Sequence, residues 1–262
     1  MCGTCGCGDE SAGEAGTRVT VLDERGAPVR DHVHTHAHEP GRGHPATEGG
    51  TITLEQKVLA KNERLAERNR RWMAGREVVA VNMMSSPGAG KTTLLERTIG
   101  ELSPSRPLAV VEGDQETRLD AERIRRAGCA VAQVNTGAGC HLDARMMYDA
   151  LTSLSPAQGS LLLVENVGNL VCPALFDLGE HSRVVIISVT EGTDKPLKYP
   201  YMFETADLIL VNKIDLLPYV DFDVDRCVGY ARAVNPDVRV LPVSATTGEG
   251  LADWYDWLAG RK

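Results

Sequence analysis

One short run, Ser85-Ser86-Pro87-Gly88-Ala89-Gly90-Lys91-Thr92-Thr93, combines a flexible backbone with a fixed positive charge and adjacent hydroxyls. Glycines let consecutive backbone N–H groups wrap a phosphate, and the start of a helix adds partial positive charge. Lys91 neutralises the β and γ oxygens of a nucleotide, and the Thr92 hydroxyl suits Mg²⁺. The chemistry requires a strand before the loop and a helix after it. An apolar run at 78–84 precedes it, and Leu94-Leu95 opens a helical pattern. The strict pattern has glycine where this chain has Ser85; a small residue there, with Pro87-Gly88 supplying the turn, still leaves room for the phosphates. Gly88, Ala89, Gly90, Lys91, Thr92 and Thr93 are therefore candidate nucleotide-binding residues, and Lys91 is also a candidate catalytic residue.

A second constellation chooses the base. Asn212-Lys213-Ile214-Asp215 ends the apolar run at 208–212. The Asp215 carboxylate can accept from the N1–H and 2-amino groups of guanine, whereas adenine has a lone pair at N1 and no 2-amino group. A site built for such bonds rejects the analogue that lacks them. The Lys213 stem can cover the ring, and backbone N–H groups of Ser244-Ala245-Thr246 can face the guanine O6. With the phosphate loop upstream, the nucleotide is expected to be GTP.

The third constellation is rich in sulfur and imidazole. Cys2-x-x-Cys5-x-Cys7 puts three thiols on a glycine-rich segment that can curl around one ion, and the N-terminal amine offers a further donor. Thiolates select soft or borderline metals such as Ni²⁺, Zn²⁺ or Cu⁺ over Mg²⁺. Cys140-His141 sits at a loop–helix junction where both ligands can reach one ion. Cys172, in Val171-Cys172-Pro173, reads on its own residues as a buried thiol before a third ligand. Cys129 and Cys227 lie in apolar or helical context and are assigned to packing. His32, His34, His36 and His38 alternate, with His44 beyond, as in a weak metal-buffering tract or a solvated linker.

Two acidic strand ends complete the set, Glu112-Gly113-Asp114-Gln115 and Glu165-Asn166-Val167-Gly168. Both are expected beside the strand that feeds the phosphate loop. On the residues alone, each acid is either a cap for the next turn or a cation ligand.

The elements that must position these groups follow from periodicity. Apolar runs at 78–84, 108–112, 130–135, 161–165, 184–190, 208–212 and 238–243 are nearly continuous, as in strands covered on both faces. Helical patterns at 91–102, 117–127, 142–154, 223–234 and 249–259 alternate with them. The fold class is α/β, a doubly wound and mostly parallel sheet. Thr53-Leu54-Glu55-Gln56 reads as a capping box that opens a helix over 53–74, with Leu54, Val58, Leu65 and Trp72 as its apolar face. Residues 1–50 hold ten of the 26 glycines, five of the seven histidines and no Phe, Tyr or Trp. Too little apolar surface is available there to offset ordering entropy, so 1–50 is expected to be a disordered metal-binding tail and 51–262 the nucleotide-binding domain.

Composition excludes several classes. The 262 residues carry a net charge of −8, which argues against nucleic acid. No apolar run approaches the ~20 residues of a membrane span. The MCGTCGCGDE start lacks a basic, hydrophobic leader, so a cytoplasmic protein with reduced thiols is expected.

From the MCxxCxC terminus to the Ser-Ala loop the chain resembles the metallochaperone group of P-loop GTPases, most closely the HypB family of hydrogenase maturation factors. The resemblance implies that Cys2, Cys5 and Cys7 form a high-affinity nickel site, and that Cys140, His141 and Cys172 form a second site for nickel or zinc near a dimer interface. It places Asp114 in switch I and Glu165-x-x-Gly168 in switch II. Asp114 and Glu165 would then join Thr92 around Mg²⁺ and serve as candidate catalytic residues. It further implies slow intrinsic GTP hydrolysis, a GTP-dependent homodimer, a small zinc-containing accessory protein and the hydrogenase large subunit as partners. The alternatives are a urease-accessory-type nickel GTPase, which carries Cys-Pro-His in place of Cys140-His141, and a nickel store whose nucleotide site is structural.

Overall fold

The computed structural model describes residues 17–22, 28–34, 48–114, 119–137 and 139–261. Its strands are β1 (Thr17–Leu22), β2 (Pro28–His34), β3 (Val79–Ser85), β4 (Leu108–Asp114), β5 (Ala130–Asn135), β6 (Leu161–Gly168), β7 (Ser182–Ser188), β8 (Leu208–Asn212) and β9 (Arg239–Pro242). They form one sheet in the order β2-β1-β5-β4-β6-β3-β7-β8-β9. β3 to β9 pair in parallel. β1 runs antiparallel to both β2 and β5.

The helices are α1 (Glu48–Ala74), α2 (Lys91–Leu102), α3 (Leu119–Arg126), α4 (Ala144–Leu154), α5 (Cys172–Leu175), α6 (Lys195–Lys198), α7 (Pro200–Glu204), α8 (Val224–Val234) and α9 (Leu251–Ala259). Every apolar run and helical pattern read from residue 78 onward becomes an element of the expected type. Among the described residues, no helix is long and apolar enough to cross a membrane.

Strand alternation divides the core. Val79, Val81 and Met83 pack with Leu94, Leu95, Ile124 and Trp254 beneath α2, α3 and α9. Ala80 and the even-numbered Leu162 and Val164 face the opposite side, with Met73, Met147 and Leu151 of α1 and α4. Farther along that second face, Val185, Ile187 and Val211 meet Met202 and Phe203 of α7 and Ala231 of α8. Every residue of β3 is buried, which is why its sequence is continuous rather than alternating.

Three expectations need correction. First, β1 and β2 lie inside the segment expected to be disordered. Val19 and Leu22 are buried where β1 pairs with the edge of β5. The apolar residues of this segment are concentrated in one strand, and an available sheet edge supplies partners that composition averaged over fifty residues conceals.

Second, α1 begins at Glu48, so Thr53 lies within it rather than capping it. Its buried stripe is Asn62, Ala66, Asn69 and Met73, while Val58 stays exposed. The asparagines are inward because they bond to the backbone. Asn69 Nδ2 donates to the Ala144 and Leu178 carbonyls, and Asn62 Oδ1 accepts from Ala144 N–H. Buried amides that satisfy backbone groups are stabilising where unpaired ones are not.

Third, only one acidic strand adjoins β3. β6 pairs with β3 on one side and β4 on the other, placing Met83, Glu165 and Glu112 in register. The strand that ends at Asp114 thus lies one position farther from the phosphate loop, with β6 between it and β3.

Candidate nucleotide and metal sites

The neighbouring strands β3 and β7 send their crossovers in opposite directions, to β4 and to β8, so a crevice opens at the carboxyl ends of the strands. Here Gly88 and Gly90 take positive φ values of 73° and 96°. Those left-handed turns are open to glycine and costly for other residues. A Cβ on Gly90 would lie 2.6 Å from Asn212 Nδ2, so the loop cannot pass here with a side chain. Lys91 opens α2 and its Nζ donates to Ser85 Oγ over 2.7 Å. The serine at the departure from the strict pattern is therefore the lysine's local partner.

The base motif grips the loop directly. Asn212 is buried at the end of β8; its Nδ2 donates to the Ala89 carbonyl over 2.8 Å, and its Oδ1 accepts from Ala245 N–H over 3.0 Å. Lys213 has φ 64° and its Nζ donates to the Gly88 carbonyl over 2.7 Å, so its stem spans the gap between base and phosphate loops. Asp215 lies in the 3₁₀ turn Ile214–Tyr219. Its Oδ1 accepts from Ser244 Oγ over 2.5 Å. The carboxylate is thereby oriented by the same loop whose N–H groups were expected to face O6.

On the other flank Thr92 Oγ1 donates to Glu165 Oε1 over 2.9 Å. Glu165 is buried, and Oε2 has no hydrogen-bond partner. Burial pushes its carboxyl up from 4.5 to about 7, against the opposing pull of Lys91 and the Thr92 bond. A hydroxyl, a carboxylate and an orphaned acceptor beside a phosphate loop fit a hard divalent cation such as Mg²⁺. Asp114 ends β4 opposite Asn135; its position is described along the backbone. Gly168, closing β6, has Pro87 of the phosphate loop so near that an added Cβ would sit 3.1 Å from Pro87 Cα.

The structure also brings together Cys140, His141 and Cys172, whose ligand atoms all lie within 4.8 Å of one another. Cys140 Sγ is 3.6 Å from His141 Nδ1. The Gly139 N–H bond to the Thr136 carbonyl turns the loop before Cys140. Asn169 Oδ1 accepts from Val171 and Cys172 N–H, setting the turn that presents Cys172. His141 stacks on Phe176 with centroids 3.9 Å apart. Burial lowers the imidazole pKa, which favours the neutral, ligating form. Two thiols and one imidazole make a borderline-soft donor set with room for further ligands. Cys129 and Cys227 are buried elsewhere, in the packing positions expected of them.

Cys2, Cys5, Cys7, His36, His38 and His44 lie outside the described residues. Several contributors were not singled out from sequence. Glu191 accepts from Ser86 Oγ and Ser188 N–H behind the phosphate loop. Arg123 joins Glu96 and Thr93, fastening α3 to α2. Neither lies in a recognisable motif. Asn166 lies within the Glu165-x-x-Gly168 run, and only its burial shows that it is more than spacing.

The model described as "CobW/HypB/UreG, nucleotide-binding domain" matches residues 79–242. The hydrogenase maturation factor HypB of Azotobacter vinelandii is 55% identical over 222 residues, 85% of this chain and 72% of that protein. HypB of Escherichia coli is 46% identical over 288 residues, 98% of each. The crystal structure of HypB from Helicobacter pylori in complex with nickel superposes with TM-score 0.71 and 36% identity, covering 76% of this chain and 94% of that one.

Proposed function

The chain belongs to the CobW/HypB/UreG nucleotide-binding family and, within it, to the HypB hydrogenase maturation factors, and from that premise we propose that it is a GTP-hydrolysing metallochaperone that carries nickel toward the hydrogenase large subunit. One observation carries the proposal. β6 holds Glu165, bonded to Thr92 of the phosphate loop, and runs directly into the turn that presents Cys172 to Cys140 and His141. A change on the nucleotide side therefore has a short mechanical route to the metal ligands.

In this reading the backbone from Gly88 to Thr93 binds the phosphates, and Lys91 offsets their charge. Asn212, Lys213 and Asp215 hold guanine, with Ser244 and Ala245 closing its edge. Thr92, Glu165 and Asp114 hold Mg²⁺, which supplies charge neutralisation at the transferring phosphoryl group. With no arginine assigned to that group, intrinsic hydrolysis is slow.

Nickel is cargo. Cys140, His141 and Cys172 take Ni²⁺ or Zn²⁺, and the tail Cys2, Cys5 and Cys7 takes nickel. The exposed Val171 and Leu175 lie beside the G-domain centre and suit a GTP-dependent homodimer that covers it. A small zinc-containing accessory protein and the hydrogenase large subunit are the onward partners in the cytoplasm.

Steady-state hydrolysis tests the enzymatic half. Multiple turnovers with GTP and far fewer with ATP, both lost in Lys91→Ala, are expected. Turnover that survives Lys91→Ala, or that prefers ATP, would overturn it.

A further inference from the structure

Glu165 and Asn166 are successive residues of β6 and therefore point to opposite faces of the sheet. Glu165 faces α2 and bonds Thr92. Asn166 faces α1 and α4 and is only 1% exposed. Its Oδ1 accepts from Leu142 N–H over 3.1 Å and from Val167 N–H over 3.0 Å. Its Nδ2 donates to Asn82 Oδ1 over 3.3 Å.

The chain of bonds continues inward. Asn82, on β3 and fully buried, donates through Nδ2 to Glu180 Oε1 over 3.2 Å. Glu180 also accepts from Arg183 Nε over 2.7 Å and from Leu178 N–H over 2.7 Å. Each amide thus donates toward the carboxylate and accepts from the side of residue 142. Aligned bonds of this kind polarise one another, and a buried network with every partner in place holds one geometry. Asn166 is consequently fixed to the sheet on one side and free to pull on Leu142 at the other.

Leu142 N–H belongs to the peptide that carries the His141 carbonyl. Its side chain is fully buried and lies against Gly113, where an added Cβ would meet Leu142 Cγ at 2.8 Å. Gly113 immediately precedes Asp114. The residue after the metal-ligating pair therefore touches the ends of both strands that carry acids of the nucleotide site. Among the described residues one of those contacts is a hydrogen bond, and Asn166 makes it.

We propose that Asn166 is the positioning residue through which the nucleotide state sets the metal affinity of the Cys140/His141/Cys172 centre, an inference that rests on the metallochaperone reading above. When Glu165 exchanges partners, the end of β6 shifts, and the Asn166 amide moves with it because the two share a backbone. Leu142 N–H must follow or be left buried without an acceptor, which is costly. Following it reorients the His141 peptide relative to Cys140 and Cys172.

The test is a Ni²⁺ competition titration on the full-length chain, with Cys2, Cys5 and Cys7 changed to Ser to silence the tail. It compares the GDP form with the Mg²⁺ complex of a non-hydrolysable GTP analogue. The parent chain is expected to show at least about a fivefold difference in Kd between the two forms. In Asn166→Ala the ratio is expected within about twofold of one; a merely structural role would weaken both forms alike and leave the ratio unchanged. Asn166→Ser, too short to hold Leu142 N–H but still polar, gives the same reading should the alanine chain fail to fold. A parent ratio above five that persists in the variants overturns this assignment and leaves the metallochaperone reading intact. A parent ratio of one overturns nucleotide gating and the assignment with it.

Discussion

Thr92 and Glu165 share a hydrogen bond of 2.9 Å between the phosphate loop and the strand beside it, and the carboxylate that accepts it is buried. Burial raises that carboxyl from 4.5 to about 7. The folded chain thus holds a proton that the unfolded chain releases at lower pH, so this group's contribution is fully present below about pH 4.5 and is lost as pH rises through about 7. Without nucleotide and Mg²⁺, Glu165→Gln should gain stability over the parent as pH climbs from 5 to 8, by about 2–3 kcal/mol. Urea unfolding at both pH values measures it. A gap between the two proteins that stays constant with pH would contradict the burial argument.

Gly90 and Gly88 should respond differently to alanine. At Gly90 the new Cβ meets Asn212 Nδ2 at 2.6 Å and φ is 96°, whereas at Gly88 nothing lies within 4 Å and only φ of 73° resists. Gly88→Ala is expected to cost about 1–2 kcal/mol from backbone strain. Gly90→Ala should cost more and displace Asn212, lowering affinity for a fluorescent GTP analogue by about tenfold or more. Equal effects would mean that Asn212 yields freely.

The Asp215–Ser244 bond leaves the carboxylate aimed by its loop. Asp215→Asn replaces an acceptor with a donor at the guanine 2-amino position. GTP binding should fall by about a hundredfold or more, and xanthosine triphosphate, which has an oxygen there, should bind better than GTP. Competition between the two nucleotides reads the switch, and an unchanged preference for GTP would remove Asp215 from the base site.

Cysteine reactivity separates the two kinds of thiol. Burial pushes Cys129 up to about 12 and Cys227 up to about 11, while Cys140 and Cys172 are half-buried. At pH 8, alkylation followed by peptide mass mapping should, among the four described cysteines, label Cys140 and Cys172 first. Zn²⁺ or Ni²⁺ should protect that pair together and leave the slow labelling of Cys129 and Cys227 unchanged. Protection of one without the other would break the three-ligand centre.

What was legible in the sequence follows from physical locality. The phosphate loop and the Asn212–Asp215 motif are contiguous, and their chemistry is written in adjacent residues. The parallel strands are legible because double burial demands unbroken apolar runs. Less visible is what depends on distant partners. β1 is ordered by the edge of β5, more than a hundred residues away, and the inward stripe of α1 is built on asparagines because it meets backbone groups at Ala144 and Leu178. The order of strands also hid the insertion of β6 between β4 and β3. Cys172 reads from its neighbours as a packing thiol, and only the turn at Asn169 shows that it meets Cys140 and His141.

The central claim is that nucleotide state governs metal at the Cys140/His141/Cys172 centre, and the most direct measurement is the affinity for Ni²⁺, with Zn²⁺ in parallel, of the chain with Cys2, Cys5 and Cys7 changed to Ser, in its GDP form and in its Mg²⁺·GTP-analogue form. The account predicts that the affinity of this centre differs between the two forms by at least about fivefold, and by linkage that metal shifts nucleotide affinity by the same factor. Identical metal affinities in both forms would contradict it and leave a metal store with an independent nucleotide site.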